Sequence, residues 1–315
     1  MRSTTFVILL LLVAGLYGCN VPGAVATTSM PGPTTPTPIS TLPPIPTPTE
    51  APSATPLPQF DVALLKNGTY QVPQFQKTVT LVDGKYAGGS GADALSVNLL
   101  PQMAFGDLNE DGLQDAVVLV AENGGGSGVF VSLVVVFNQN GAPLQGGAVL
   151  IDDRPKIDGI SIQEGKIILD AVIHGAGDAM VNPTLTVKEF FETNGNLLDL
   201  ARFESTNAGG AARSIQIDSP QNGSEVSGSV QVKGSMPIAP FENNLGYRIL
   251  DSLGKQLVQA SFLVKADQPG GPATFDQTID LSTLAEAGGV RLELVEVSMA
   301  NGSILTLNSV RIKVK

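Results

Sequence analysis

From residue 60 onward, apolar and polar positions alternate in short runs closed by pairs of turn-forming residues. A period of two belongs to a half-buried strand, whereas a helix repeats every 3.6 residues. Thr78–Val82 leads into Asp83-Gly84, a pair suited to a tight turn in which both residues need positive φ. Ile160–Gln163 alternates, turns at Glu164-Gly165 and returns as Lys166–Leu169, which predicts a hairpin. Val129–Phe137 is almost continuously apolar, as expected of a strand buried on both faces, and Asn138–Gly141 turns the chain after it. Only Pro58–Lys66 and Leu185–Thr193 read as short helices. Residues 60–205 are therefore predicted to form a β-rich domain with minor helix.

Ala208–Ala212 is a run of small residues that reads as a hinge. Beyond it, Ile215–Ile217, Val230–Val232, Leu245–Leu250, Leu257–Val264, Ala273–Ile279, Val290–Ser298 and Val310–Val314 read as strands. Their turns fall at the roughly 8–12-residue spacing of a β-sandwich. The fold class expected is mainly β, with a second domain over 213–315.

The first 59 residues follow another pattern. One charge, Arg2, precedes an apolar run from Phe6 to Leu16. That run is too short to cross ~30 Å of hydrocarbon, which takes about 20 apolar residues. It has the flanks of a secretory signal. Leu16-Tyr17-Gly18-Cys19 closes it and resembles the lipobox of bacterial lipoproteins, although Tyr17 stands where a small or β-branched residue is commoner. The resemblance implies a signal peptide over 1–18, cleavage before Cys19 and acylation of its thiol. Cys19 is the only cysteine in the chain, so no disulfide staples the fold. The implied localisation is the extracytoplasmic face of a bacterial membrane, with that membrane as a partner through the lipid. Each buried acyl CH₂ adds ~0.8 kcal/mol.

Residues 19–59 carry most of the chain's 22 prolines, interleaved with Thr and Ser, and Glu50 is their only charge. Such a composition cannot bury enough apolar surface to fold, and it favours polyproline II. At ~3.1 Å per residue the segment reaches on the order of 100 Å as a spacer. A ligand for a proline-reading domain and a glycosylated stalk are the alternatives.

The net charge of −11 argues against nucleic acid as a partner. It suits an exported chain that stays soluble or collects cations. One motif matches the second use. Gly106 to Asp115 reads D-x-N-x-D-G-x-x-D from Asp107, and calcium wants six to eight oxygens at ~2.3–2.6 Å. Asp107, Asn109 and Asp111 supply short oxygen side chains at alternate positions. Gly112 permits the turn, Leu113 offers its carbonyl, and Asp115 completes the set. The bidentate Glu of an EF-hand is absent, because Val118 occupies that place. The loop resembles the FG-GAP-type calcium loops flanked by strands, which implies a structural calcium ion as cofactor. A metal-free Asx-rich turn is the alternative. Glu122–Gly128 is glycine-rich but lacks the Gly-Lys-Ser/Thr ending of a phosphate loop, so it reads as a hairpin or bulge.

Ile217-Asp218-Ser219-Pro220 with Gly223, Val232-Lys233-Gly234, Ala273-Thr274-Phe275 and Asn301-Gly302-Ser303 resemble the immunoglobulin-like domain of bacterial spore germination proteins. The resemblance implies an extracytoplasmic interaction module, and Met236–Pro240 departs from it by its prolines. The segment from Gly106 to Arg154 resembles an uncharacterised domain of exported bacterial proteins and implies no activity.

Catalysis needs convergent titratable groups. His174 is the only histidine and reads as a loop residue at a strand end. Ser252–Lys255 has S-x-x-K spacing but none of the companion motifs. Asp152-Asp153 and Asp170 with Asp178 are the acid pairs available to a carbohydrate or peptidoglycan hydrolase. The reading favoured is a non-catalytic envelope module that binds a protein or glycan. The hydrolase and a purely structural spacer are the alternatives.

Overall fold

The computed structural model describes residues 60–207, 209–284 and 287–315. The signal peptide, Cys19 and the proline-rich segment lie outside these residues. The chain is mainly β, and its described residues form one compact unit. Among the described residues no helix is long and apolar enough to cross a membrane.

Helix α1 (Val62–Lys66) and the hairpin β1 (Thr69–Val72) and β2 (Lys77–Thr80) come first. Asp61 caps the helix, its carboxylate accepting from the Ala63 amide at 2.8 Å. An antiparallel five-stranded sheet follows: β3 (Lys85–Gly88), β4 (Leu95–Gly106), β5 (Asp115–Asn123), β6 (Phe130–Gln139) and β7 (Ala142–Asp153). Asp83 and Gly84 both have positive φ, as expected. Their flanking strands nevertheless belong to different sheets, joined only by a Val82–Lys85 bridge.

Strands β5 and β6 are buried along almost their whole length, for a reason that lies outside them. Ala116, Val118, Val120, Val134 and Val136 pack under α1, Tyr70 and Val72. Val117, Leu119, Leu133 and Val135 on the opposite face pack against a second sheet. Burying one such side chain stabilises by about 1.5–3 kcal/mol. Tyr70 is buried here and donates to the Leu65 carbonyl at 2.7 Å, and burial pushes its phenol up to about 12.

That second sheet starts with the meander β8 (Lys156–Gln163), β9 (Lys166–Ile173), β10 (Leu185–Asn194) and β11 (Leu197–Thr206). Strand β10 corrects the helix expected over Leu185–Thr193. Val187, Glu189 and Phe191 are buried while Thr186 and Lys188 are exposed, a period of two. Its backbone groups are taken by β9 on one side and β11 on the other. Of the segment expected as a hinge, residues 209–212 turn the chain back. The Asn207 side chain accepts from the Ala211 amide, and β12 (Ala212–Arg213) returns onto β11.

The C-terminal half is a two-layer sandwich. One layer is β13 (Gln216–Ser219), β15 (Ser229–Met236), β19 (Ala273–Asp280) and β18 (Lys265–Ala266). The other holds β16 (Asn244–Leu250), β17 (Gln256–Leu263), β20 (Gly289–Val297) and β21 (Ile304–Val314), with β14 (Ser224–Val226) parallel to β21. Val230, Val232, Leu245, Ile249, Leu292 and Ile312 meet between them.

The two halves share a sheet. The order β17-β16-β20-β21-β11-β10-β9-β8 is continuous, and β21 meets β11 at Asn308–Arg202 and Leu307–Phe203. Side-chain hydroxyls reinforce this short ladder. Thr306 donates to the Phe203 carbonyl at 2.9 Å and Ser309 to that of Ala201 at 2.7 Å. Val295 and Leu307 of the C-terminal half are buried in the core of the first.

Candidate functional site

The acidic loop lies between β4 and β5, so strands flank it as its pattern implies. Glu110 and Gly112 have positive φ, which bends the backbone round the side chains of Asp107, Asn109 and Asp111. The Asp111 amide reaches both Asp107 Oδ1 at 3.2 Å and Asn109 Oδ1 at 3.1 Å. Gly112 donates to Asp107 Oδ2 at 2.8 Å, and Leu113 donates to Asp111 Oδ1 at 2.8 Å. Leu108 fixes the loop to the fold by entering the core between the two sheets of the first half, while its carbonyl accepts from Thr193 Oγ1 at 2.8 Å.

Asp115 behaves differently from the other acids. It is fully buried, and its two oxygens accept from the amides of Leu108 and Asn138, both at 2.9 Å. Burial raises its pKa, and the charges of Asp111 and Asp107 add to that rise against the two amides. Asp107 and Asn109 thus each turn an oxygen to the Asp111 amide, Asn109 Nδ2 donates to Asp111 Oδ2 at 3.0 Å, and Asp115 serves the backbone. Asp111 and Leu113 also line an open concavity of about 530 Å³ with Asn138, Gln139 and Asn140. All-oxygen donors of net negative charge fit a hard cation in kind. Among the described residues, no three His, Cys, Asp or Glu side chains gather into a metal-holding group.

The acids open to a hydrolytic reading are engaged elsewhere. Asp152 accepts from His174 Nδ1 at 2.8 Å and from the His174 amide at 2.6 Å. Burial lowers the histidine, and the Asp152 carboxylate outweighs that effect and raises it above its usual value. Asp153 pairs with Arg154, Asp170 with Lys188, and Asp178 accepts from Gly175 and Thr184. Glu189, read as part of a helix, instead enters the core from β10 with Oε2 unpartnered. Burial, with Asp152 nearby, raises it to about 8. Its place between Val187 and Phe191 was the signal that could have found it, since period two puts all three on one face.

The proline-rich Met236–Pro240 shapes a site that composition did not suggest. After it, Glu242 and Asn243 both adopt positive φ, and Phe241 is held outward, 64% exposed. Met299, 74% exposed, and Val297 stand opposite. Two concavities of about 250 and 640 Å³ meet at these residues. Gly246 opens the floor of the smaller one, where a Cβ would sit 3.1 Å from the Val295 carbonyl oxygen. Glu296 borders both, pairs with Arg213, and has its pKa raised by burial.

Residues 214–303 match the Gmad2 family, the immunoglobulin-like domain of bacterial spore germination. The C-terminal part of the chain is thus an immunoglobulin-like domain, and the matched segment is less than a third of the whole. Among curated proteins none matches the chain.

Proposed function

We propose that the chain is an exported envelope protein, anchored by a lipid on Cys19, that binds or organises envelope proteins or glycans without catalysis. Residues 19–59 serve as its spacer. The observation that carries the reading is the open apolar groove of the immunoglobulin-like half, where Phe241, Val297 and Met299 are exposed together. A contiguous exposed apolar surface with a polar rim is characteristic of an interaction site. The engagement of Asp152, Asp153, Asp170 and Asp178 in ion pairs and backbone caps supports the non-catalytic side.

In the first half, calcium at Asp107, Asn109 and Asp111 holds the β4–β5 connection, with the Leu113 carbonyl and Asp115 as the remaining candidates. Its part is structural. The convergence of two side-chain oxygens on the Asp111 amide supports this.

The binding reading is tested by placing a photo-crosslinking amino acid at Met299 in growing cells. Discrete crosslinked products, lost when Phe241 is changed to Ser, are expected. Their complete absence with the chain correctly anchored would remove the groove as an interaction site.

A further inference from the structure

An edge strand presents unpaired N–H and C=O groups, and proteins blunt such edges with charge, proline, bulges or shortness. Every other described edge here carries one of these devices. Strand β8 has Lys156 and Asp158 and a register shift at Ile157–Gly159. Strand β7 has Pro143, Gly146 and Gly147 and two register shifts. The backbone of Gln71 in β1 is covered by the Gln145 amide, which bonds its N–H at 2.7 Å and its carbonyl at 3.0 Å. Strand β13 is bulged, and β2, β3, β12, β14 and β18 are two to four residues long and each carries a charge.

Strand β17 carries such a device only at its start, a register shift between Gln256 and Val258. From Val258 to Leu263 it runs in unbroken register with β16, with neither charge nor proline, and it pairs on that side alone. Val258 and Phe262 lean on the sandwich core, Ala260 is exposed, and Leu263 is 64% exposed. Lys255 and Lys265, both exposed, bracket the segment.

We propose that β17 is a docking strand for an extended peptide of another protein, uncharged at its centre and acidic at its ends. Main-chain bonding to the open edge supplies the affinity, and alternate apolar side chains beside Ala260 and Phe262 supply selectivity. The acidic ends answer Lys255 and Lys265. A second copy of this chain fits worse. Antiparallel pairing about the strand centre would bring Lys255 beside the other copy's Lys265, between two chains each of charge −11. This inference rests on the binding-module reading and names its partner class.

The test uses the full chain in detergent and a synthetic peptide of about eight residues, alternating Val and Thr with Asp at both ends. Saturable binding is expected, weakened about tenfold by Ala260→Lys and by replacing the peptide's Asp ends with Lys. Ala260 is exposed, so an unchanged melting curve for A260K checks that the variant folds. Binding equal in A260K, or no binding, overturns the proposal. Concentration-dependent dimerisation lost in A260K also overturns it, in favour of a second copy. A photo-crosslinker at Gln259 separates the two readings. Products from Met299 but none from Gln259 leave the binding module standing and remove the β17 edge, whereas products from neither remove both.

Discussion

Arg311, on the last strand, reaches across the joint between the two halves to Asp199 of β11 at 2.8 Å. Asp199 also faces Arg291 of β20 at 3.3 Å. The pairs continue on both sides, through Glu192 to Lys166 of β9 and through Glu293 to Arg248 of β16. Charges of alternating sign thus cross six neighbouring strands of one sheet. Arg291 and Glu293 are nearly buried, so each depends on its neighbour.

Asp199→Ala leaves Arg291 buried against one acid and deprives Arg311 of its closer partner. Removing one member of a buried ionic group costs about 3–5 kcal/mol, and partial exposure of Arg311 puts this variant at roughly 2–3. Urea unfolding followed by fluorescence of a dye on each half is the measurement. A midpoint equal to the parent's would show that the charges cross the joint without holding it.

Glu189 has a folded pKa of about 8 against an ordinary value of 4.5. The folded state favours its neutral form, so its contribution to stability is fully present below 4.5 and is lost as pH rises through 8. At pH 7 the cost is roughly 3 kcal/mol. Glu189→Gln should therefore raise Tm at pH 7 and flatten its fall between pH 5 and 8. A Tm lowered by Gln at both pH values would contradict a buried, unpaired acid.

Calcium should raise the melting temperature of the chain, and Asp107→Ala or Asp111→Ala should abolish the rise. At a hundredfold excess over Kd, one site contributes about 2.7 kcal/mol. Scanning calorimetry with calcium and with chelator decides it. Identical curves would reduce residues 107–115 to a metal-free turn.

Cys19→Ala should move the chain from the membrane to the soluble fraction and abolish incorporation of labelled fatty acid. Detergent-phase partitioning reads the first effect. Membrane retention of the variant would require another anchor.

Much of the fold is legible locally, because alternation and turn chemistry depend on neighbours in sequence. The hairpin at Glu164-Gly165 and the turn ending at Asn140-Gly141 lie where they were expected, and all four residues have positive φ. The two-sided burial of β6 is signalled by an apolar run that only Ser132 interrupts, although the packing that buries it lies outside the strand. The acidic loop is equally legible, since its hydrogen bonds span two to five residues.

The sequence by itself thus determined a mainly β chain with an immunoglobulin-like domain at its C-terminal side. It did not determine that β10 is a strand, because its charged and apolar residues also suit a helix until β9 and β11 take its backbone bonds. Nor did it reveal the shared sheet, the Lys166-to-Arg248 chain of charges, the burial of Glu189 or the bare edge of β17. Those depend on which strands, up to about a hundred residues apart, lie side by side. Only tertiary pairing decides that register, because no local propensity carries the free energy of contacts between distant strands.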